Sequence, residues 1–344
     1  MASLLLGVTH IEEDGAFGII RRAKADKHPN AVMLSAGVYR DDKGKPWILP
    51  VVATAKDQLN NDSSYNHDYL PISGDPLFLK GARRVALGPQ HCPDSRISSV
   101  QTVAGTGANH VGALLSAEII KPKHVWFSDP TWVNHPLIWE KADKQIEQRF
   151  YPYWNATTNT FDFNGMMTSL ESESSPGDIL VLQACAHNPT GMDPSKEQWK
   201  AIAELCKRRG LFPFFDSAYQ GFASGNLDED GWALQHFLDQ DNLELCIAQS
   251  FSKNFGLYSE RLGALHVKTR SAETGARIGM FSYAGITPEQ ATLLADKYHI
   301  YLLHTGRISI TGLTMENVKY IARSISEVLK TEGSTSRVEE NVHT

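Results

Sequence analysis

Five short runs that are apolar almost from end to end constrain the fold of this chain more than any other feature. They are HVWFSD (124–129), DILVLQACA (178–186), LFPFFD (211–216), LELCIAQS (243–250) and LGALHV (262–267), and stretches of helical pattern separate them. A strand with one wet face alternates apolar and polar residues, whereas a run that is apolar on both faces must be covered on both. The expected fold is therefore α/β, a mostly parallel sheet with helices on each side. Between the second and third runs, Asp193-Pro194 offers an N-cap and a first-turn proline. Trp199, Ile202, Ala203 and Cys206 then fall on one helical face, and Gly210 ends the helix. That segment reads as a βαβ crossover, and in such sheets ligands bind beyond the carboxyl ends of the strands.

Length and charge narrow the function classes. With 344 residues, 42% of them hydrophobic, the chain can bury a large core and is expected to form two domains. A net charge of −6, with no basic run, argues against a nucleic-acid partner. Cys92, Cys185, Cys206 and Cys246 have neither C-x-x-C nor metal-ligand spacing, so no metal is expected and the thiols read as reduced residues of an intracellular protein. The N-terminal MASLLLGVTHIEEDGAFG lacks a basic n-region and meets acids by Glu12, so no targeting peptide is expected. No run approaches transmembrane length, so no membrane association is expected. These signals point to the cytoplasm and leave a mitochondrial location open. The polar tail after Leu329 is expected to fray.

The ends of the apolar runs carry polar groups that a core does not require. AGTGAN (104–109) follows the strand-like SSVQTV, and its glycines either let backbone N–H groups approach a phosphate at a helix start or make a plain tight turn. His110 occupies the third glycine position of a dinucleotide fingerprint, and the P-loop lysine is lacking. Trp132 can stack on a flat ring or fill a hydrophobic corner. Asn188, in HNPTG, can donate to an oxygen or simply mark a turn. Asp216 can cap a helix or hold a proton on a ring nitrogen, with Tyr219 close behind it. Ser250 ends the fourth run, and Lys253 and Arg261 follow it. An anion cradle, a stacking ring, an acid, donors for a phenolic oxygen and an amine are together what pyridoxal phosphate needs. Lys253 then reads as its Schiff-base lysine. A serine hydrolase finds no G-x-S-x-G, and thirteen histidines include no H-E-x-x-H.

The same residues, in the same order, resemble the aspartate aminotransferase family of fold-type I pyridoxal-phosphate enzymes. The matching stretches are GVYRDDKGKPWILP (37–50), YLPISG (69–74), GTGAN (105–109), DPTWVNH (129–135), ACAHNPTGMDP (184–194), FFDSAYQGFASG (214–225), SFSKNFGLYSERLG (250–263) and GRISITGL (306–313). The resemblance implies a large domain, residues 46–277, around a seven-stranded type of sheet. A small α/β domain would come from both termini, residues 1–45 and 278–344. It implies that Lys253 is the Schiff-base and proton-shuttling residue, that Asp216 pairs with the pyridine nitrogen and that His135 backs Asp216. Asn188 and Tyr219 would bond the ring oxygen, and Trp132 would stack on the ring. Gly105, Thr106, Ser250 and Arg261 would hold the phosphate, joined by Tyr69 from the other subunit of a homodimer. Arg307 would clamp the substrate carboxylate, and Gly37 would close over the substrate. The implied reaction is the ping-pong transamination of L-aspartate and 2-oxoglutarate to oxaloacetate and L-glutamate.

Three departures bear on that expectation. Ala104 stands where the family usually has serine, and Gln183 where a histidine is common. Between RLGALHVKTRSAETGAR and IGMFSYAGITPEQ, a long block of the family is missing after Arg277, and with it the arginine that recognises the substrate's distal carboxylate. The competing expectation is therefore a shortened, catalytically impaired relative that binds cofactor or dimerises without efficient transamination.

Overall fold

The computed structural model describes residues 15–332, apart from 29, 36, 65, 67, 93, 273, 275–280, 284–285, 303–306 and 310–316. The expected tail after Leu329 lies largely outside the described residues, the last helix being described to Glu332. The centre is a seven-stranded sheet with the spatial order β1-β9-β8-β7-β6-β2-β3. Its strands are β1 (Ile97–Val103), β2 (His124–Asp129), β3 (Glu147–Pro152), β6 (Ile179–Gln183), β7 (Phe212–Ser217), β8 (Leu245–Ser250) and β9 (Leu262–Lys268). Two short strands, β4 (Trp154–Asn155) and β5 (Thr160–Phe161), form a separate hairpin, and β10 (Phe281–Tyr283) pairs with β11 (Arg307–Ser309).

The pairs from β3 through β8 are parallel, and β9 runs antiparallel to both β8 and β1. All five apolar runs are strands within a few residues of their expected limits. The edge strand β3, EQRFYP, lacks their signal because it mixes polar and apolar residues and is only partly buried.

Alternation along each strand feeds two separate cores. Trp126, Leu180, Leu182 and Phe215 face the helices α6 (Phe163–Glu173), α7 (Lys196–Arg209) and α9 (Trp232–Leu238). Val125, Phe127, Val181 and Phe214 face α4 (Ala104–Leu115) and α5 (Asn134–Ala142). Covering both faces is what the continuous apolar runs require.

The crossover helix α7 buries Trp199, Ile202, Ala203 and Cys206 and ends at Gly210, whose φ of 66° suits glycine. Its start differs from the sequence expectation. Ser195, not Asp193, is the N-cap, forming a reciprocal capping box with Gln198. Asp193 instead accepts from the backbone N–H groups of Ala186 (2.6 Å) and His187 (3.0 Å), which holds the preceding loop against the sheet. All four cysteines are free thiols; three are buried, and Cys92 is partly exposed.

Two further helices, Pro288–Tyr298 and Val318–Glu332, enclose a small core of Ile286, Ala291, Leu294 and Val328. None of these residues belongs to the cores of the main sheet. No described helix is long and apolar enough to cross a membrane.

Candidate active site

Because β1, β2, β6, β7 and β8 point the same way and β9 points back, their following loops and the entry to β9 meet at one edge of the sheet. A cavity of about 370 Å³ opens there. Its walls include Gly105 and Thr106 after β1, Trp132 after β2, Asn188 after β6, and Asp216 and Tyr219 at the end of β7. Ser250 and Lys253 come from the end of β8, and Arg261 from the approach to β9. Nine of the sequence-predicted site residues thus share one cavity.

One end of the cavity is built for an anion. The first turn of α4 presents Gly105 and Thr106 beside Ser250, Ser252 and Arg261, so unsatisfied helix N–H groups, three hydroxyls and a guanidinium converge. The approach is too tight for a side chain at Gly105, where a Cβ would lie 2.7 Å from the Cβ of Ser250. Ala104 (φ 56°) and Arg261 (φ 54°) both occupy the left-handed region, which is costly for residues with a Cβ. They are tied together by a hydrogen bond from Ala104 N to Arg261 O at 2.9 Å. Gly263 permits the contact, since a Cβ there would sit 2.4 Å from the Ala104 carbonyl.

The other end is acidic. Asp216 Oδ2 lies 2.9 Å from His135 Nε2, and His135 Nδ1 lies 2.8 Å from Thr131 Oγ1. His135 is fully buried and stacks on Phe127, while Trp132 meets its ring edge-on. This chain of contacts fixes the carboxylate's orientation.

Lys253 sits between the two ends. Among the described residues the one hydrogen bond of its side chain runs from Nζ to the carbonyl of Gly37, at 3.3 Å. Burial pushes its pKa below the usual lysine range, opposed by Asp216 and assisted by Arg261. Burial likewise raises the pKa of Tyr219, helped by Asp216 and Tyr258. Lys253 Nζ lies 5.9 Å from the ring centre of Tyr219 and 5.8 Å from that of Tyr258.

Three predicted residues stand apart. Gly37 is outside the cavity wall but reaches it through the contact with Lys253. Tyr69 is fully exposed on this single chain. Arg307 pairs through its backbone with Tyr283, and its side chain lies outside the described residues, so the clamp assigned to it is not seen.

Among the residues that line the cavity without a role in the sequence reading are Asn109, Gln183, Ser252 and Tyr258. Asn109 is a lone amide on the buried face of an otherwise small and apolar helix, one turn after Gly105, and that was its available signal. Tyr258 accepts a hydrogen bond from Tyr39 N at 2.9 Å and so holds the N-terminal segment near Lys253. No local pattern announces a contact across 219 residues.

Comparison with known proteins bears on the family of the chain. The family profile "Aminotransferase class I and II" matches residues 29–277. The L-tyrosine:2-oxoglutarate aminotransferase of Aspergillus ustus is 40% identical, with 94% of this chain and 78% of the relative covered. The cytoplasmic aspartate aminotransferase of Schizosaccharomyces pombe is 35% identical, with 94% and 98% covered. The structure of an aromatic-amino-acid aminotransferase from Burkholderia pseudomallei, covalently bound to pyridoxal phosphate, superposes with a TM-score of 0.75 at 30% identity, covering 95% of this chain and all of that one. The alignment with the Aspergillus enzyme spans 410 positions against 344 residues here, so that relative carries stretches with no counterpart in this chain. A matched profile over most of the chain, full-length relatives and a shared fold at this level of identity lead to one conclusion: the chain belongs to the class I and II aminotransferases.

Proposed function

We propose that this protein is a pyridoxal-phosphate-dependent transaminase that moves an amino group from an L-amino acid, aspartate in the first instance, to 2-oxoglutarate. The observation that carries the reading is a half-buried lysine with no acidic hydrogen-bond partner among the described residues, set between an anion-binding end and a carboxylate end of one cavity.

The donor set fits the cofactor. Gly105, Thr106, Ser250 and Arg261 would hold its phosphate, Asp216 its ring nitrogen, Asn188 and Tyr219 its ring oxygen, and Trp132 its ring face. When bound, pyridoxal phosphate supplies an aldehyde that condenses with amines and a protonated ring that accepts the electron pair released from the substrate α-carbon. The protein's task is to place and move protons around that group. Asp216, oriented by His135, holds the proton on the ring nitrogen. Lys253, its pKa lowered by burial, gives up its proton more readily than an exposed lysine and so can serve as the base at the substrate α-carbon. Tyr219 stays a neutral hydroxyl and donates a hydrogen bond. The Gly37 segment lies over the amine, where closure would exclude water.

Arg307 is the proposed α-carboxylate clamp, and Tyr69 the group offered to the site of a second copy in a homodimer. Its complete exposure on one chain accords with that role. Residues 46–277 would be the large domain, with residues 1–45 and 278–344 forming the small one around the separate core. A cytoplasmic location is proposed by analogy with the Schizosaccharomyces relative.

The excess length of the aligned relative favours a second reading, a shortened enzyme that binds cofactor without efficient turnover. A visible absorption spectrum with pyridoxal phosphate, recorded before and after adding aspartate or tyrosine, separates the readings. A Lys253-dependent band that the amino acid converts supports the transaminase. A band that both amino acids leave unchanged supports the second reading, and no band at all sinks both.

A further inference from the structure

We propose that Gln183 is a positioning residue for the transamination just described, locking Asn188 to the end of β6, beside the strand that carries Asp216, through an amide that does not titrate. The inference rests on that functional reading and deepens it.

Gln183 is the last residue of β6, and it is buried with its side chain at the cavity wall. Its main chain stands opposite Asp216 in the parallel register, and the next residue, Ala184, donates from its N–H to Asp216 O at 2.9 Å. Its side chain turns to Asn188. Gln183 Nε2 donates to Asn188 O at 2.9 Å, and Asn188 N donates to Gln183 Oε1 at 2.8 Å. The Gln183 side chain therefore holds Asn188 at the end of the strand next to the one that carries Asp216.

The rest of this loop is held at other points. His187 contacts Ser128 Oγ (2.8 Å) and Thr190 Oγ1 (2.9 Å), and Asp193 takes the N–H groups of Ala186 and His187. At Asn188 itself, both backbone polar groups go to Gln183, while its side chain makes no hydrogen bond among the described residues. That leaves the Asn188 amide available to the cavity, aimed by Gln183. Removing the Gln183 amide would strand a donor and an acceptor beside the site, and the loop would shift to find new partners.

A primary amide is also the one neutral side chain that supplies a donor and an acceptor in this two-point arrangement at every physiological pH. A histidine could offer one of each only when neutral. The setting of Asn188 should thus be independent of pH across the histidine range.

The test compares Gln183→Leu, Gln183→Glu and Gln183→His in the holoenzyme, with parallel thermal melts. Gln183→Glu keeps size and acceptor but loses the donor, and it carries the test should the leucine variant fail to fold. The pH midpoint of the lysine–cofactor absorbance band is expected to move by half a unit or more, about a threefold change in the proton equilibrium. The value of kcat/KM should fall about tenfold or more, because misplacement near 1 Å costs up to about a hundredfold. Gln183→His should recover most of the midpoint above its own ionisation and lose it below.

An unchanged midpoint and kcat/KM in folded Gln183→Leu or Gln183→Glu would overturn the inference, as would an equal loss at all pH values in Gln183→His. If the parent protein shows no lysine-dependent band, it is the functional reading that has failed.

Discussion

Lys253 concentrates the residue-scale physics of this protein. Its amine is drawn out of water by the fold, which depresses its pKa below the ordinary 10.5. Between the folded value and 10.5 the unfolded chain binds the extra proton, so stability rises with pH in that window, and below it the cost of the buried cation is felt in full. Removing the amine should relieve that cost. In cofactor-free protein, Lys253→Met is expected to melt at a higher temperature than the parent at pH 7, with the difference closing as pH nears 10.5; a lower melting temperature at pH 7 would refute the account. The sequence identified Lys253 through the apolar run ahead of it. It could not show that Gly37, 216 residues away, supplies the carbonyl that the amine meets.

Elements position the site by sharing one sheet edge, and the sheet in turn depends on contacts between strands. His266 on β9 bridges its neighbours, with Nδ1 2.8 Å from Ser99 Oγ on β1 and Nε2 2.9 Å from Gln249 Oε1 on β8. Complete burial pulls its pKa from 6.5 down to about 3, aided by Arg83. The folded state keeps this ring neutral while the unfolded chain protonates it below pH 6.5, so stability is lost as pH falls from 6.5 toward 3. His187, with its pKa also about 3, adds to the same slope. Each ring contributes at most about 1.4 kcal/mol per pH unit. Urea unfolding from pH 7 to pH 4 should show His266→Gln with the shallower decline; parallel pH profiles for parent and variant would contradict this. The antiparallel direction of β9 brings Arg261 to the site, yet its run LGALHV carries no mark of direction, since burial on both faces looks the same either way.

For the whole molecule, the separation of cores sets the expected dynamics. Ile286, Leu294 and Val328 anchor a small cluster, whereas β6, β7 and β8 lie between two large ones. Fewer buried contacts mean a smaller free energy of local opening. Native-state hydrogen exchange should therefore release residues 288–298 and 318–329 at lower denaturant than residues 212–217 and 245–250, and common exchange behaviour would show a single cooperative unit instead. The sequence by itself determined the layered α/β class, the buried face and glycine stop of the crossover helix, and nine of the residues that line the cavity. Apolar runs, caps and strand-end polar groups are local patterns that burial and backbone geometry impose directly. Only the tertiary structure decided that Ser195 rather than Asp193 caps that helix, that Gln183 holds Asn188, and that Tyr258 and Gly37 bring the N-terminal segment to the amine. Those choices depend on which partners the fold brings within hydrogen-bond distance, and distance between remote residues is written nowhere in local sequence.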